Sequence, residues 1–237
     1  MNRLMFAFSM SMTFWMFGTF MMFGTRLSNA AQSEFWDRFV YAGVVFMPPL
    51  MHHFSLIFTK RSGQRKLLFA NYLLAFIFLI ASRTRYFVDG LYIYDWGAHT
   101  RARVLHHVFL GYFFVGTGGF FYNIASYARS LKDKMRKLQA WYVFVAFAIV
   151  IFIGGSAYLY AYGVDTRFPF AYFSGLVFPV MLFYAVTRHH LLGAKAIGVE
   201  LLVGLANFAL ITELFLARSI TELLLRLLFA IILAGIS

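Results

Sequence analysis

Residues 139–162 read QAWYVFVAFAIVIFIGGSAYLYAY, 24 consecutive positions without a charge. Wound into a helix at about 1.5 Å per residue, that stretch reaches about 36 Å, more than the hydrocarbon thickness of a bilayer. Working outward, apolar runs also fall at 4–25, 35–58, 67–82, 104–127, 170–187, 196–217 and 222–237. A membrane β-barrel would instead show segments of about ten residues alternating between apolar and polar. The sequence therefore predicts an all-α polytopic transmembrane bundle of seven or eight spans, forming one domain over residues 1–237.

Composition supports this class. The chain is 62% hydrophobic, 21% aromatic and 13% charged, against about 45–50% apolar and about 25% charged in soluble domains. With no cysteine, disulfides, thiolate metal sites and cysteine nucleophiles are excluded. The first run follows Met1-Asn2-Arg3 and precedes Ser28-Asn29-Ala30, which imitates a cleavage site. Its apolar core exceeds the 7–15 residues of a signal peptide, so it reads as a retained span.

The formal charge of +12 is a topology signal. With the N-terminus in the cytoplasm, the cytoplasmic segments collect 12 basic residues, including all six lysines, and the opposite side seven. The positive-inside rule favours this orientation, which puts both termini of an eight-span chain in the cytoplasm. Anionic lipid headgroups suffice as partners for these charges. Nucleic acid is not expected, because no basic soluble surface exists to carry it.

The long connection at 83–103 has its own pattern. Tyr86-Phe87-Val88 and Leu91-Tyr92-Ile93-Tyr94 flank Asp89-Gly90, a pair suited to the positive φ angles of a type I′ turn. The expectation is an extracytoplasmic hairpin over residues 86–94, between spans three and four.

Seven histidines occur as His52-His53, His99, His106-His107 and His189-His190. Adjacent histidines on a helix diverge by about 100°, and no pair has the i, i+3 or i+4 spacing that chelates a metal from one face. No metal site, catalytic residue or cofactor is expected. Gly111, Gly116, Gly118 and Gly119 lack the strand and Lys-Ser/Thr of a phosphate loop, and read with Gly154, Gly155 and Ser156 as sites of close helix packing.

Candidate ligand-pocket residues are Trp36, Tyr41, His53, Trp96, His106, His107, Tyr112 and Asn123, with Phe54 and Tyr122 as further aromatic candidates. Intramembrane charges are costly unless paired or functional. Near the end of the chain Glu213, on the run at 196–217, is placed to meet Arg226 on the neighbouring run at 222–237, and Glu222 to meet it locally at i, i+4; these three are signalling or ion-pair candidates.

Several motifs together resemble a known family. Phe35-Trp36-Asp37-Arg38-Phe39-Val40-Tyr41-Ala42-Gly43, then Pro48-Pro49-Leu50-Met51-His52-His53-Phe54, resemble the start of the third span in the N-terminal seven-transmembrane sensor region of bacterial histidine kinases. Asp95-Trp96-Gly97 is similar to the Trp-Gly of that family's outer hairpin. Tyr184-Ala185-Val186-Thr187-Arg188-His189-His190-Leu191 resembles the end of one of its cytoplasm-facing spans, although His189-His190 replaces a more usual aromatic and basic pair. The likeness runs over about residues 10–192 and implies a further span ahead of the first.

The resemblance implies a multi-pass sensor in a bacterial cytoplasmic membrane, homodimeric, part of a two-component system and non-enzymatic over these residues. It would bind a small apolar or amphipathic ligand, or sense the membrane, and signal through the last helix to a cytoplasmic histidine kinase. No histidine here carries the Glu or Asp that follows a phospho-accepting one. Two other readings are a small transporter or channel, which calls for polar residues strung across the midplane, and a His-rich membrane enzyme, which calls for a bound metal.

Overall fold

A computed structural model of the protein describes residues 2–24, 30–175 and 177–181, all within one compact unit. Helix α1 covers Asn2–Gly24, α2 Ala30–Val44, α3 Met47–Phe58 and α4 Arg65–Ala81. Strands β1 (Val88–Tyr94) and β2 (Gly97–Ala102) follow, then α5 (Val104–Ser130) and α6 (Lys134–Ala148). From there the same rod continues as a π-helical turn, Ile149–Ile153, and a 3₁₀ segment, Gly154–Tyr162, before a short 3₁₀ turn at Phe170–Phe173. Four helical rods, at 3–23, 31–58, 104–130 and 134–162, are long and apolar enough to cross a membrane. Residues 65–81 form a shorter apolar helix. The apolar runs at 196–217 and 222–237 lie outside the described residues.

The run at 35–58 is two helices with a break, and Pro48-Pro49 are the reason. Neither proline has an N–H to donate four residues back, so the helix must restart with them in its first turn. The chain turns at Val45 and Phe46 before α3 begins. Upstream, α2 packs against α1 at backbone distance: a Cβ on Gly43 would sit 2.3 Å from the Ser11 carbonyl oxygen. Close approach is also what Gly116 and Gly154 provide, against Pro48 and Trp15 respectively, each at 2.8 Å. Gly111, Gly118 and Gly155, read from sequence in the same way, face open space instead.

The hairpin is longer than expected and turns elsewhere. β1 runs unbroken through Asp89-Gly90, and pairs antiparallel with β2 from Val88↔Ala102 to Tyr94↔Gly97. Gly90 does take a positive φ of 77°, but it serves a register irregularity between Val88 and Leu91, not a turn. The reversal is at Asp95-Trp96, after which Gly97 adopts φ 151°, a conformation side chains disfavour. Stacking fixes this choice: the Trp96 ring lies 4.7 Å from that of Tyr94, nearly parallel.

Arg38 fastens the hairpin to α2. Its Nη1 donates to the carbonyls of Ser82 and Thr84, both at 2.9 Å, just beyond the end of α4. Nη2 donates to Val88 at the start of β1, at 2.7 Å, and to Glu34 at 2.6 Å. Burial and this neighbouring guanidinium both lower the pKa of Arg83, burial more. On the other flank, the Tyr94 hydroxyl donates to the Tyr160 carbonyl at 2.6 Å. Burial chiefly, with Tyr92 and Asp165 nearby, pushes the Tyr94 phenol up to about 12.

Candidate functional site

Beneath the hairpin, between α1, α2, α5 and the π/3₁₀ rod, lies a cavity with about 40 Å³ of space for the centre of a water-sized sphere. Its apolar wall includes Val40 and Val44 of α2, Phe113 of α5, and Val150, Ile151 and Ala157 of the rod. The departure from α geometry is local to this wall, as irregular helix turns often are at functional sites. Trp15, Tyr41, Tyr158 and Tyr172 add aromatic surface.

The polar wall is Asp37, His99, Thr19 and the tyrosine hydroxyls. Asp37, two turns into α2, is 2% exposed. The Thr100 hydroxyl donates to its Oδ2. Its Oδ1 is 3.8 Å from His99 Nε2, beyond hydrogen-bond length. Among the described residues, His99 is the one basic side chain within 4.0 Å of this carboxylate. Thr19 on α1 and Tyr172 both line the chamber.

Of the eight sequence candidates, Tyr41 alone lines the cavity. It hydrogen-bonds His106 Nε2 at 2.9 Å, while His106 Nδ1 meets the Tyr162 hydroxyl at 2.9 Å. His106 is fully buried one layer behind the wall. The Tyr112 hydroxyl, with its single hydrogen, lies 3.1 Å from the backbone carbonyls of both Val45 and Asn71. Trp96 belongs to the hairpin turn and reaches Asp165 at 3.3 Å. His107 is exposed and bonded to the Arg103 carbonyl. His53 pairs with the Tyr72 hydroxyl at 3.2 Å. Trp36 packs among Phe17, Phe35 and Phe39, and its indole nitrogen has no hydrogen-bond partner among the described residues. Phe54 is buried between Phe120 and Phe147, and Tyr122 is exposed beneath Arg61. Glu213, Glu222 and Arg226 lie outside the described residues.

Asn123 heads a separate polar cluster at the far end of the bundle. Its Oδ1 accepts from Arg61 at 2.7 Å and from Gln64 at 3.1 Å, and its Nδ2 donates to Ser55 at 3.0 Å. Gln64 and Asn71 in turn hold the two ring nitrogens of His52, at 2.7 and 2.9 Å. These bonds tie the 59–64 connection to α3, α4 and α5. No group of three or more His, Asp or Glu side chains is arranged to hold a metal among the described residues.

Asp37 and His99 are cavity-wall residues that the sequence candidates did not include. The signal was available: Asp37 is a carboxylate at the head of an apolar run, where burial is costly without a purpose or a partner. His99 could not be paired with it from spacing, because a β-strand delivers it.

Comparison with known proteins gives one family: the model of the N-terminal 7TM region of histidine kinase matches residues 1–194. No curated protein and no solved structure matches the chain.

Proposed function

We propose, from the premise that the chain belongs to the family of the N-terminal 7TM region of histidine kinase, that the chamber beside Asp37 is the receptor site of a membrane sensor. That region is the membrane-embedded, non-catalytic part of such kinases. The observation that carries the reading is the cavity itself, walled by α1, α2, β2, α5 and the π/3₁₀ rod. An occupant touching all five favours one relative packing of them over another, which is what a receptor requires: differential affinity for two arrangements.

In this reading the hairpin faces outward, both termini are cytoplasmic, and the ligand is small and amphipathic. The altered packing passes through the last apolar run to a cytoplasmic kinase acting as a homodimer, in a bacterial membrane whose anionic lipids hold the basic loops. Filling the chamber tests it. In the intact kinase, Ala157→Met is expected to abolish stimulus-dependent autophosphorylation while membrane insertion and basal phosphorylation persist. A variant that still answers its stimulus in full removes the chamber as the receptor site.

A further inference from the structure

We infer that the chamber selects a small organic cation, a short alkylammonium whose charged head meets Asp37; this rests on the chamber being the receptor site. A buried carboxylate is costly to hold inside a membrane protein unless a countercharge or several donors compensate it. Asp37 is nearly fully buried, and among the described residues it accepts one hydrogen bond, from the Thr100 hydroxyl to Oδ2, with His99 Nε2 the nearest basic group, 3.8 Å from Oδ1. The adjacent Arg38 could have neutralised it. Instead all of its recorded bonds go to Glu34 and to three backbone carbonyls, those of Ser82, Thr84 and Val88.

Asp37 and His99 both line the chamber, with Oδ1 and Nε2 3.8 Å apart. An ammonium group in the chamber has three hydrogens to give. Oδ1 can take one of them as a charge-assisted hydrogen bond, stronger than a neutral one.

The rest of the wall discriminates further. Trp15, Tyr41, Tyr158 and Tyr172 surround the same space, and the electron-rich faces of such rings attract cations. Val40, Val44 and Ile151 offer nothing polar, which suits an aliphatic tail and strips solvent from an inorganic ion without replacing it. Size sets the limit: a cavity of about 40 Å³, where about 10–15 Å³ is needed to hold one water, admits only a small molecule of roughly three or four heavy atoms. An anion meets Asp37 as a like charge, and a neutral alcohol gains no charge-assisted bond.

The test uses the purified full chain in detergent, with thermal unfolding and calorimetric titration against four probes: propylammonium, 1-propanol, propionate and ammonium. Propylammonium alone is expected to bind and to raise the unfolding temperature. Asp37→Asn, which can still accept from Thr100, should weaken that binding roughly tenfold or more. Ala157→Met, which leaves Asp37 untouched, should abolish it. If 1-propanol or propionate binds as well as propylammonium and Ala157→Met blocks it, the cation preference is wrong while the chamber stands. If ammonium binds as well as propylammonium, the organic part of the ligand is wrong. Propylammonium binding that Ala157→Met leaves intact overturns the cation assignment and the receptor reading together.

Discussion

The Tyr112 hydroxyl donates to the Val45 carbonyl at 3.1 Å, the very acceptor that Pro49, lacking an N–H, leaves without its helical donor. A side chain of α5 thus completes the hydrogen bonding of a break in the α2–α3 rod, and the same hydroxyl lies 3.1 Å from the Asn71 carbonyl of α4. Three helices are joined at one buried oxygen. Tyr112→Phe keeps the ring against Phe78 and removes only that atom. It is expected to cost about 1–2 kcal/mol, read as a lower midpoint in denaturant unfolding in detergent, with ligand response unchanged.

Arg38 serves three carbonyls and Glu34 through one planar fork. Lysine keeps the charge but cannot reproduce that fork. Arg38→Lys should destabilise the hairpin by about 2–3 kcal/mol, seen as faster amide exchange over residues 88–102 while α5 and α6 keep their protection. Unchanged exchange in the hairpin would show that its strands hold without the clamp.

At the far end, Asn123→Ala strips Arg61, Gln64 and Ser55 of a shared partner in a buried setting. A loss of about 2–4 kcal/mol is expected, larger than for a single exposed bond because several groups lose a partner together. Limited trypsin digestion checks it locally: cleavage after Arg61 should accelerate relative to cleavage after Lys134 and Lys137.

Tyr94 gives the hairpin a dependence on alkaline pH. Its phenol is raised from 10.0 to about 12 by burial foremost, so the folded hairpin holds the proton more tightly than an unfolded one. The associated stability is therefore complete below pH 10.0 and is lost as pH rises through about 12. Trp96, stacked on this ring, reports it: its fluorescence, isolated by difference against Trp96→Phe, should change over that window. Tyr94→Phe should flatten the change.

The apolar rods were legible because membrane insertion writes itself as long runs without charge, and the runs at 4–25, 67–82, 104–127 and 139–162 reappear within a few residues as α1, α4, α5 and the α6 rod. Hairpin register was not. Asp89-Gly90 is a strong local turn signal, and Gly90 does adopt the left-handed conformation, yet the ladder between Tyr94 and Gly97 and the stacking of Trp96 place the reversal further on. Such a choice depends on what the strands pack against, in this case Tyr160.

The site was the least legible part. Aromatic candidates were picked by type, and one face of a helix carries several; Trp36 and Tyr41 sit on the same helix but only Tyr41 lines the chamber. His99 and Asp37 are 62 residues apart, and their meeting depends on strand β2 lying beside the middle of α2. His106 and Tyr112, read from sequence as pocket candidates, bond other parts of the bundle and do not line the chamber.

The rod that walls the chamber is wound in three ways along its length. Gly154–Tyr162, nine residues in 3₁₀ form, rises about 2.0 Å per residue; the same residues as α-helix would rise about 1.5 Å each. Rewinding them shortens the rod by about 4.5 Å without breaking its span. Its length is thus set by how it is coiled as well as by how many residues it contains, and Ala157 and Tyr158 of the chamber wall lie within the 3₁₀ turns.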